Sequence, residues 1–142
     1  AVDENLREFG LQNRIETELV LGPGVKNAIL PGTAEVQLIR VIQEALNNIR
    51  KHACANRAWV KMWLGEDNLL RVGIFDDGCG FDPDAAVGRG HYGLAIMRER
   101  ADAVGARLTL QSRPGQGTES IVEVPITLRG WNSDAVEGAV GR

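Results

Sequence analysis

One stretch constrains this chain more than any other: Ile74-Phe75-Asp76-Asp77-Gly78-Cys79-Gly80-Phe81. An apolar strand runs straight into two carboxylates and two glycines spaced one residue apart. Glycines at 78 and 80 let the backbone bend sharply and let another molecule approach closely. A carboxylate fixed at a strand end accepts a hydrogen bond from a donor inside a pocket. Asp and Gly together suit a flat ring that offers an exocyclic amine, as adenine does.

The rest of the chain supplies a scaffold for that strand end. Residues 1 to 8 are polar apart from Leu6 and read as the tail of an upstream element. Loosely alternating apolar residues predict a strand from Phe9 to Leu21. Gly22-Pro23-Gly24 and Pro31-Gly32 bound a loop, and Thr33 is an N-cap candidate. Leu38, Ile39, Ile42, Ala45, Leu46, Ile49 and Ala53 then recur at helical spacing and predict an amphipathic helix. Arg57 to Leu64 and Leu69 to Phe75 predict a hairpin turning at Gly65-Glu66-Asp67-Asn68. Residues 82 to 90 read as a loop. Leu94, Met97, Ala101 and Val104 predict another helix, ended by Gly105. Arg107 to Ser112 and Thr118 to Ile126 predict two more strands, joined at Pro114-Gly115-Gln116-Gly117. From Arg129 to Arg142 the pattern dissolves into an expected disordered tail. The order strand, helix, two strands, helix, two strands predicts an α+β two-layer sandwich: a mixed, mostly antiparallel sheet covered on one face by helices.

The 142 residues suit one domain with a sizeable core. A net charge of −3 argues against a dedicated nucleic-acid binder, which would carry a basic patch. Phosphates can still be held by local dipoles and one or two Lys residues. Cys54 and Cys79 are the only cysteines, too few for a disulfide framework, so a reduced, cytoplasmic setting is the expectation. No apolar run reaches the ~18 residues of a membrane span. The polar N-terminus does not read as a signal peptide, and no direct membrane contact by this domain is expected, while a parent protein anchored in a membrane elsewhere fits the same residues.

Within the first predicted helix, Glu44, Asn48 and Lys51 fall in one stripe, with His52 at its edge. An acid, a neutral oxygen ligand and a cation are the chemistries a magnesium nucleotide needs. Any amphipathic helix also has a polar face that is ordinarily just solvated. Taken alone the stripe fits a solvated face better, and two adjacent Asn residues in mid-helix, which cost some helix propensity, weigh only weakly toward a purpose. The loop Gly88-Arg89-Gly90-His91-Tyr92-Gly93-Leu94 feeds the second helix, whose exposed N–H groups form a ready phosphate site. It matches neither a Walker A nor a dinucleotide fingerprint, and an ordinary connection fits the same residues. Arg98 and Arg100 read either as phosphate contacts or as surface residues pairing with Glu99 or Asp102, the latter being the expectation. Thr118 reads either as a base contact or as a turn Thr of high strand propensity. Trp59, Lys61 and Trp63 share parity on one strand, so that face is expected to be partly exposed. Cys54 reads as a small packing residue, and Cys79 has no assigned role.

In order along the chain, these motifs resemble those of a known family. Gln43-Glu44-Ala45-Leu46-Asn47-Asn48-Ile49-Arg50-Lys51-His52-Ala53 resembles the N box of sensor histidine kinases. Asp76-Asp77-Gly78-Cys79-Gly80-Phe81 resembles their G1 box. Gly90-His91-Tyr92-Gly93-Leu94-Ala95-Ile96-Met97-Arg98-Glu99-Arg100 resembles the G2 box of the nitrate/nitrite-sensor-like subfamily, and Gly117-Thr118 the closing Gly-Thr. Each box alone is moderately specific; four in order are highly specific.

The resemblance implies the Bergerat ATP-binding fold, with ATP and Mg2+ as ligands. It implies that Asp76 accepts the adenine amino proton, Gly78, Gly80 and Phe81 shape the base pocket, and Thr118 helps hold the base. It implies Asn48 as the magnesium ligand, with Lys51 and His52 near the phosphates. Glu44 matches an acid that assists proton removal. Residues 82 to 93 correspond to an ATP lid that brings Gly90, His91, Tyr92, Gly93 and Leu94 to the phosphates. The lid is short, and no separate F box is apparent. His52 and His91, the only histidines, lie inside nucleotide motifs, so the acceptor histidine is expected on a separate dimerisation domain. The resemblance therefore implies residues 9 to 128 as the catalytic domain, residues 1 to 8 as the end of a connection, and a response regulator as the downstream partner. The alternatives are an ATPase of the gyrase or mismatch-repair type and an anti-sigma-type kinase module.

Overall fold

A computed structural model describes residues 2–30, 33–51, 55–65, 67–80, 92–112 and 115–128. The elements run α1 (Val2–Asn13), β1 (Glu16–Leu21), β2 (Ala28–Ile29), α2 (Ala34–Lys51), β3 (Arg57–Leu64), β4 (Leu69–Asp76), α3 (Tyr92–Asp102), β5 (Arg107–Ser112), β6 (Thr118–Pro125) and β7 (Thr127–Leu128). Five strands form one sheet in the order β1-β3-β4-β6-β5, and β2 pairs with β7 in a small second sheet. Only β1–β3 is parallel; β3–β4, β4–β6 and β6–β5 are antiparallel. The expected mixed, mostly antiparallel sheet layered with helices is the observed architecture.

α2 forms because its apolar residues keep the helical period and its ends suit the helix dipole. Leu38, Val41, Ile42, Ala45, Leu46 and Ile49 are all buried on one side. Glu35 sits in the first turn and Arg50 and Lys51 in the last, complementing the partial charges there. Strand alternation supplies the other half of the core. Ala58 and Val60 of β3, Val72 and Ile74 of β4, and Val122 and Val124 of β6 are at most 1% exposed. They join the α2 residues, Met97 and Ala101 of α3, and Leu6 of α1 in one cluster.

The N-terminal region departs from expectation. The strand anticipated from Phe9 to Leu21 begins only at Glu16, and Val2–Asn13 is helical. Val2, Leu6 and Phe9 recur at a helical period and pack toward the core, which a strand could not achieve with the same residues. The Asn13 amide donates to the Phe9 carbonyl at 2.9 Å near the helix end. Arg14 then takes a left-handed φ of 55°, and the Ile15 N–H returns to the Gly10 carbonyl at 3.1 Å. That reversal aims β1 back along the sheet. The two-residue strands β2 and β7 were not anticipated either. The expected helix end at Gly105 is present: its φ is 71°, and its N–H bonds to the Asp102 carbonyl at 3.2 Å.

The sheet face opposite the helices carries Trp59, Lys61 and Trp63, partly exposed as their parity requires. Trp59 stacks on its cross-strand partner Phe75 with ring centroids 5.6 Å apart. The Arg57 guanidinium lies 5.3 Å over Trp59, and the Lys61 ammonium 5.6 Å over Trp63. At the far end of the hairpin, Arg71 bridges Asp67 at 2.8 Å and its cross-strand neighbour Glu123 at 3.0 Å.

Candidate functional site

The strand end singled out in the sequence opens into a cleft between α2 and the sheet. Its described lining includes Ala45, Asn48 and Ile49 of α2, Ile74 and Asp76 of β4, and Gly80 beyond it. Leu110 of β5 and Thr118 and Ser120 of β6 complete it. Alternation explains the grouping. Ile74 and Asp76 share parity on β4, as do Thr118 and Ser120 on β6, so all four point to the helix side. Asp76 lies directly opposite Thr118 in the ladder, and Ile74 opposite Ser120. The cleft has apolar walls and a few convergent polar groups, the usual make-up of a small-ligand site.

Local backbone geometry fixes the carboxylate. The Gly78 N–H donates to Asp76 Oδ1 at 2.8 Å, folding the strand end back on its own side chain. A Cβ on Gly78 would sit 2.9 Å from that same Oδ1 and 3.1 Å from the Ala55 nitrogen, so a side chain there would have to displace the Asp76 carboxylate. Gly117, just before Thr118, has φ 76°, and a Cβ on it would overlap the Asp76 carbonyl oxygen. These two glycines press the chain close on either side of Asp76. The Thr118 hydroxyl is within 2.9 Å of the Ser112 hydroxyl, which also bonds to the Gly117 carbonyl at 3.1 Å.

Asn48 reaches the cleft from α2. Its amide nitrogen lies 3.6 Å from the Met97 sulfur of α3, a residue only 1% exposed. With the nitrogen turned to sulfur, the amide oxygen is the atom left to serve as a hard-cation ligand. Glu44 is half-buried and Lys51 exposed on the same helix, and neither is among the described residues lining the cleft. Tyr92 opens α3, with Gly93 and Leu94 in its first turn. His52, Phe81, Gly90 and His91 lie outside the described residues, as does most of the lid segment. Arg100 does not pair with Glu99 or Asp102 as expected; it crosses to α2 and donates to Gln37 Oε1 at 3.1 Å.

Several contributors were not anticipated. Ser120, 4% exposed, is a buried polar residue of the cleft, and its side depends on strand register rather than on any motif. Ile74 and Leu110 wall the cleft for the same reason. Asp77 has a bracing role: its Oδ1 accepts the N–H groups of both Asn56 and Arg57 at 2.9 Å. That ties the exit of β4 to the entry of β3. The signal available in the sequence was the second Asp after the strand, since Asx side chains habitually take nearby backbone donors. Cys79 also departs from expectation, because it is disulfide-bonded.

Fold and cleft together define an ATP-binding domain of the α+β sandwich class. The chain belongs to the family of histidine kinase-, DNA gyrase B-, and HSP90-like ATPases, whose model matches residues 33–128. An uncharacterized sensor-like histidine kinase of Chloroflexus aurantiacus is 41% identical over 115 residues, covering 78% of this chain and 19% of that protein. The nitrate/nitrite sensor protein NarQ of Escherichia coli is 37% identical over 108 residues, covering 76% of this chain and 19% of its own length. The chain thus spans about a fifth of each of these relatives. Full-length ShkA in complex with AMPPNP superposes with a TM-score of 0.73 at 22% identity, covering 96% of this chain and 31% of that one. The mycobacterial sensor histidine kinase MprB superposes with a TM-score of 0.71 at 19% identity, covering 89% and 94%. At such identities the likeness is one of fold.

Proposed function

We propose that this chain is the catalytic domain of a two-component sensor histidine kinase. It binds Mg-ATP and presents the γ-phosphate to a histidine on a separate dimerisation domain, from which the phosphoryl group passes to a response-regulator aspartate. The observation that carries this reading is the convergence of Asn48, Asp76, Gly80 and Thr118 on one cleft. Three separate sequence boxes contribute to it.

Asp76 reads the base. Its carboxylate, already oriented by the Gly78 N–H, accepts the adenine amino proton, while Ile49, Ile74 and Leu110 supply apolar walls for the ring. Thr118 and Ser120 offer hydroxyls beside it. Gly80 bounds the same cleft, and Gly78 and Phe81 are assigned to shaping it. Phosphoryl transfer depends mostly on positioning and on neutralising charge. Lys51 and His52 are assigned to the phosphate end, and Gly90, His91, Tyr92, Gly93 and Leu94 to covering it at the N-terminus of α3. Glu44 is assigned to the acceptor imidazole proton.

The residues present fit magnesium. The Asn48 amide nitrogen lies 3.6 Å from the Met97 sulfur, which leaves its neutral oxygen as the donor for a hard cation. Asn48 would hold it through Oδ1, and the ion would supply neutralisation of phosphate charge. Residues 9 to 128 are assigned to the catalytic domain and 1 to 8 to the end of the connection from the dimerisation domain. Leu6 of that segment is 2% exposed and belongs to the core cluster. The domain is assigned to the cytoplasm, where ATP and response regulators reside. No described helix is long and apolar enough to cross a membrane.

Calorimetric titration of ATP tests the reading. Asp76→Asn removes a charge-assisted acceptor, and affinity is expected to fall about 10- to 100-fold. Unchanged affinity would show that the base is not read there. Transfer of labelled phosphate to an added dimerisation domain separates a kinase from a hydrolase, which would instead release phosphate to water.

A further inference from the structure

We propose that Met97 of α3 is a positioning residue for the magnesium site: its thioether turns the Asn48 amide so that the oxygen faces the cleft. The inference rests on the ATP-site reading above, in which Asn48 is the cation ligand. An Asn side chain carries a donor end and an acceptor end of nearly equal size. A half-turn about its last torsion exchanges them, and only one of the two orientations ligates a hard cation. The helix brings Asn48 to the cleft between Ala45 and Ile49, but it does not choose between the two ends.

The choice falls to what stands behind the amide. Asn48 Nδ2 lies 3.6 Å from Met97 Sδ. A thioether accepts hydrogen bonds and has no proton to donate. The reversed amide would set its oxygen against the sulfur lone pairs and make no hydrogen bond there. Met97 is 1% exposed, so water has little access to the sulfur. An aliphatic side chain would fill the same space and leave the amide indifferent. The sulfur is also held in place. Ala101, one turn on, is 2% exposed on the same side of α3, and Arg100 donates to Gln37 Oε1 of α2 at 3.1 Å.

The consequence is preorganisation. With the sulfur in place, the cleft presents an oxygen ligand before any nucleotide arrives. Without it, the unliganded chain would divide between two amide orientations, only one of them competent. Cation binding would then have to select that one and leave the amide N–H groups with no acceptor behind them. The effect is that of one weak hydrogen bond, about three- to tenfold in the magnesium-dependent part of nucleotide affinity. Reading of the base at Asp76 does not use the amide, so affinity without magnesium should stay as it is.

The test uses the full chain. Calorimetry of ATP in magnesium and in EDTA gives the magnesium enhancement as a ratio of two affinities. Met97→Leu should lower that ratio about three- to tenfold and leave the EDTA affinity unchanged, whereas loss of a residue that only packs would lower both alike. In the nucleotide-free chain, the magnetic resonance signals of the Asn48 side-chain amide should shift in the same variant. Norleucine at position 97 replaces the sulfur alone by a methylene, and should reproduce the loss where leucine packs poorly. It is introduced in a Met62→Leu background, which leaves Met97 the sole methionine. In an Asn48→Ala background, Met97→Leu should change the ratio no further. A full magnesium response with both replacements at position 97, unmoved Asn48 signals, or an equal loss without Asn48 overturns the proposal. A full magnesium response in Asn48→Ala overturns the ligand reading itself, and the proposal falls with it.

Discussion

Neighbouring residues of β4 meet opposite surroundings. Ile74 is 1% exposed beneath α2, whereas Phe75, one position on, stacks with Trp59 on the face that no described helix covers. The covered face is built from aliphatic side chains that exclude water and one another's voids. The open face shields itself with long and aromatic side chains: Arg57 over Trp59, Lys61 over Trp63, and Arg71 between Asp67 and Glu123. Stability and function lie on the same side of the sheet. The cleft sits where the covered face runs out of aliphatic residues and ends in Asp76, Thr118 and Ser120.

This contrast can be broken by experiment. Ile74→Ala should cost about 2–5 kcal/mol of stability, because a buried methyl cluster is replaced by a cavity. Phe75→Ala should cost no more than about 1 kcal/mol, the scale of a half-buried cross-strand aromatic pair. Urea denaturation with equal losses for the two variants would show that the open face is as structural as the covered one. Asn48→Ala comes next. The magnesium-dependent part of nucleotide affinity should drop about tenfold or more, with folding little changed. A variant that still responds fully to magnesium would remove Asn48 from the cation site.

The smallest expected effect lies at the hairpin end of the open face. The Arg71 guanidinium hydrogen-bonds Asp67 and holds its carboxyl below the usual aspartate range. A depressed folded-state pKa means that the contribution is present above the unfolded value. It is lost as pH falls from that value through the folded one. Thermal melts of wild type and Asp67→Asn should therefore differ slightly at neutral pH and converge in acid. Because the pair is exposed, a large difference at neutral pH would contradict the view that this face is only weakly stabilising.

Elements with strong periodicity were legible in the sequence. α2, the β3–β4 hairpin, α3 and the β5–β6 pair all follow from apolar spacing and turn residues. α1 was not, because between Phe9 and Leu21 a short helix and a strand abut, and their apolar residues together mimic loose alternation. Only Arg14, at a left-handed φ, and Ile15 separate them. β2 and β7 are two residues each, too short to carry any pattern. In the cleft, Asn48, Asp76, Gly80 and Thr118 were visible as residue types that strands and helices seldom place there without reason. Ile74, Leu110, Ser120 and Met97 were invisible as contributors, since their place depends on which strands pair and in what register. The bonded state of Cys79 escaped because nothing in the residues around it distinguishes a bonded sulfur from a free thiol.

β1 is both an edge strand and the sheet's one parallel strand, with Glu16 opposite Arg57. Its partner lies across the whole of α2 in the chain, whereas β3–β4 and β5–β6 close over short turns. Distant pairing carries a greater loop-closure cost before any contact rewards it. During folding, the two hairpins should therefore form early and β1 should dock last. The order reverses in the native state: β1 amides should exchange with solvent before those of β4 and β6, so that fraying starts at the strand that leads in from α1.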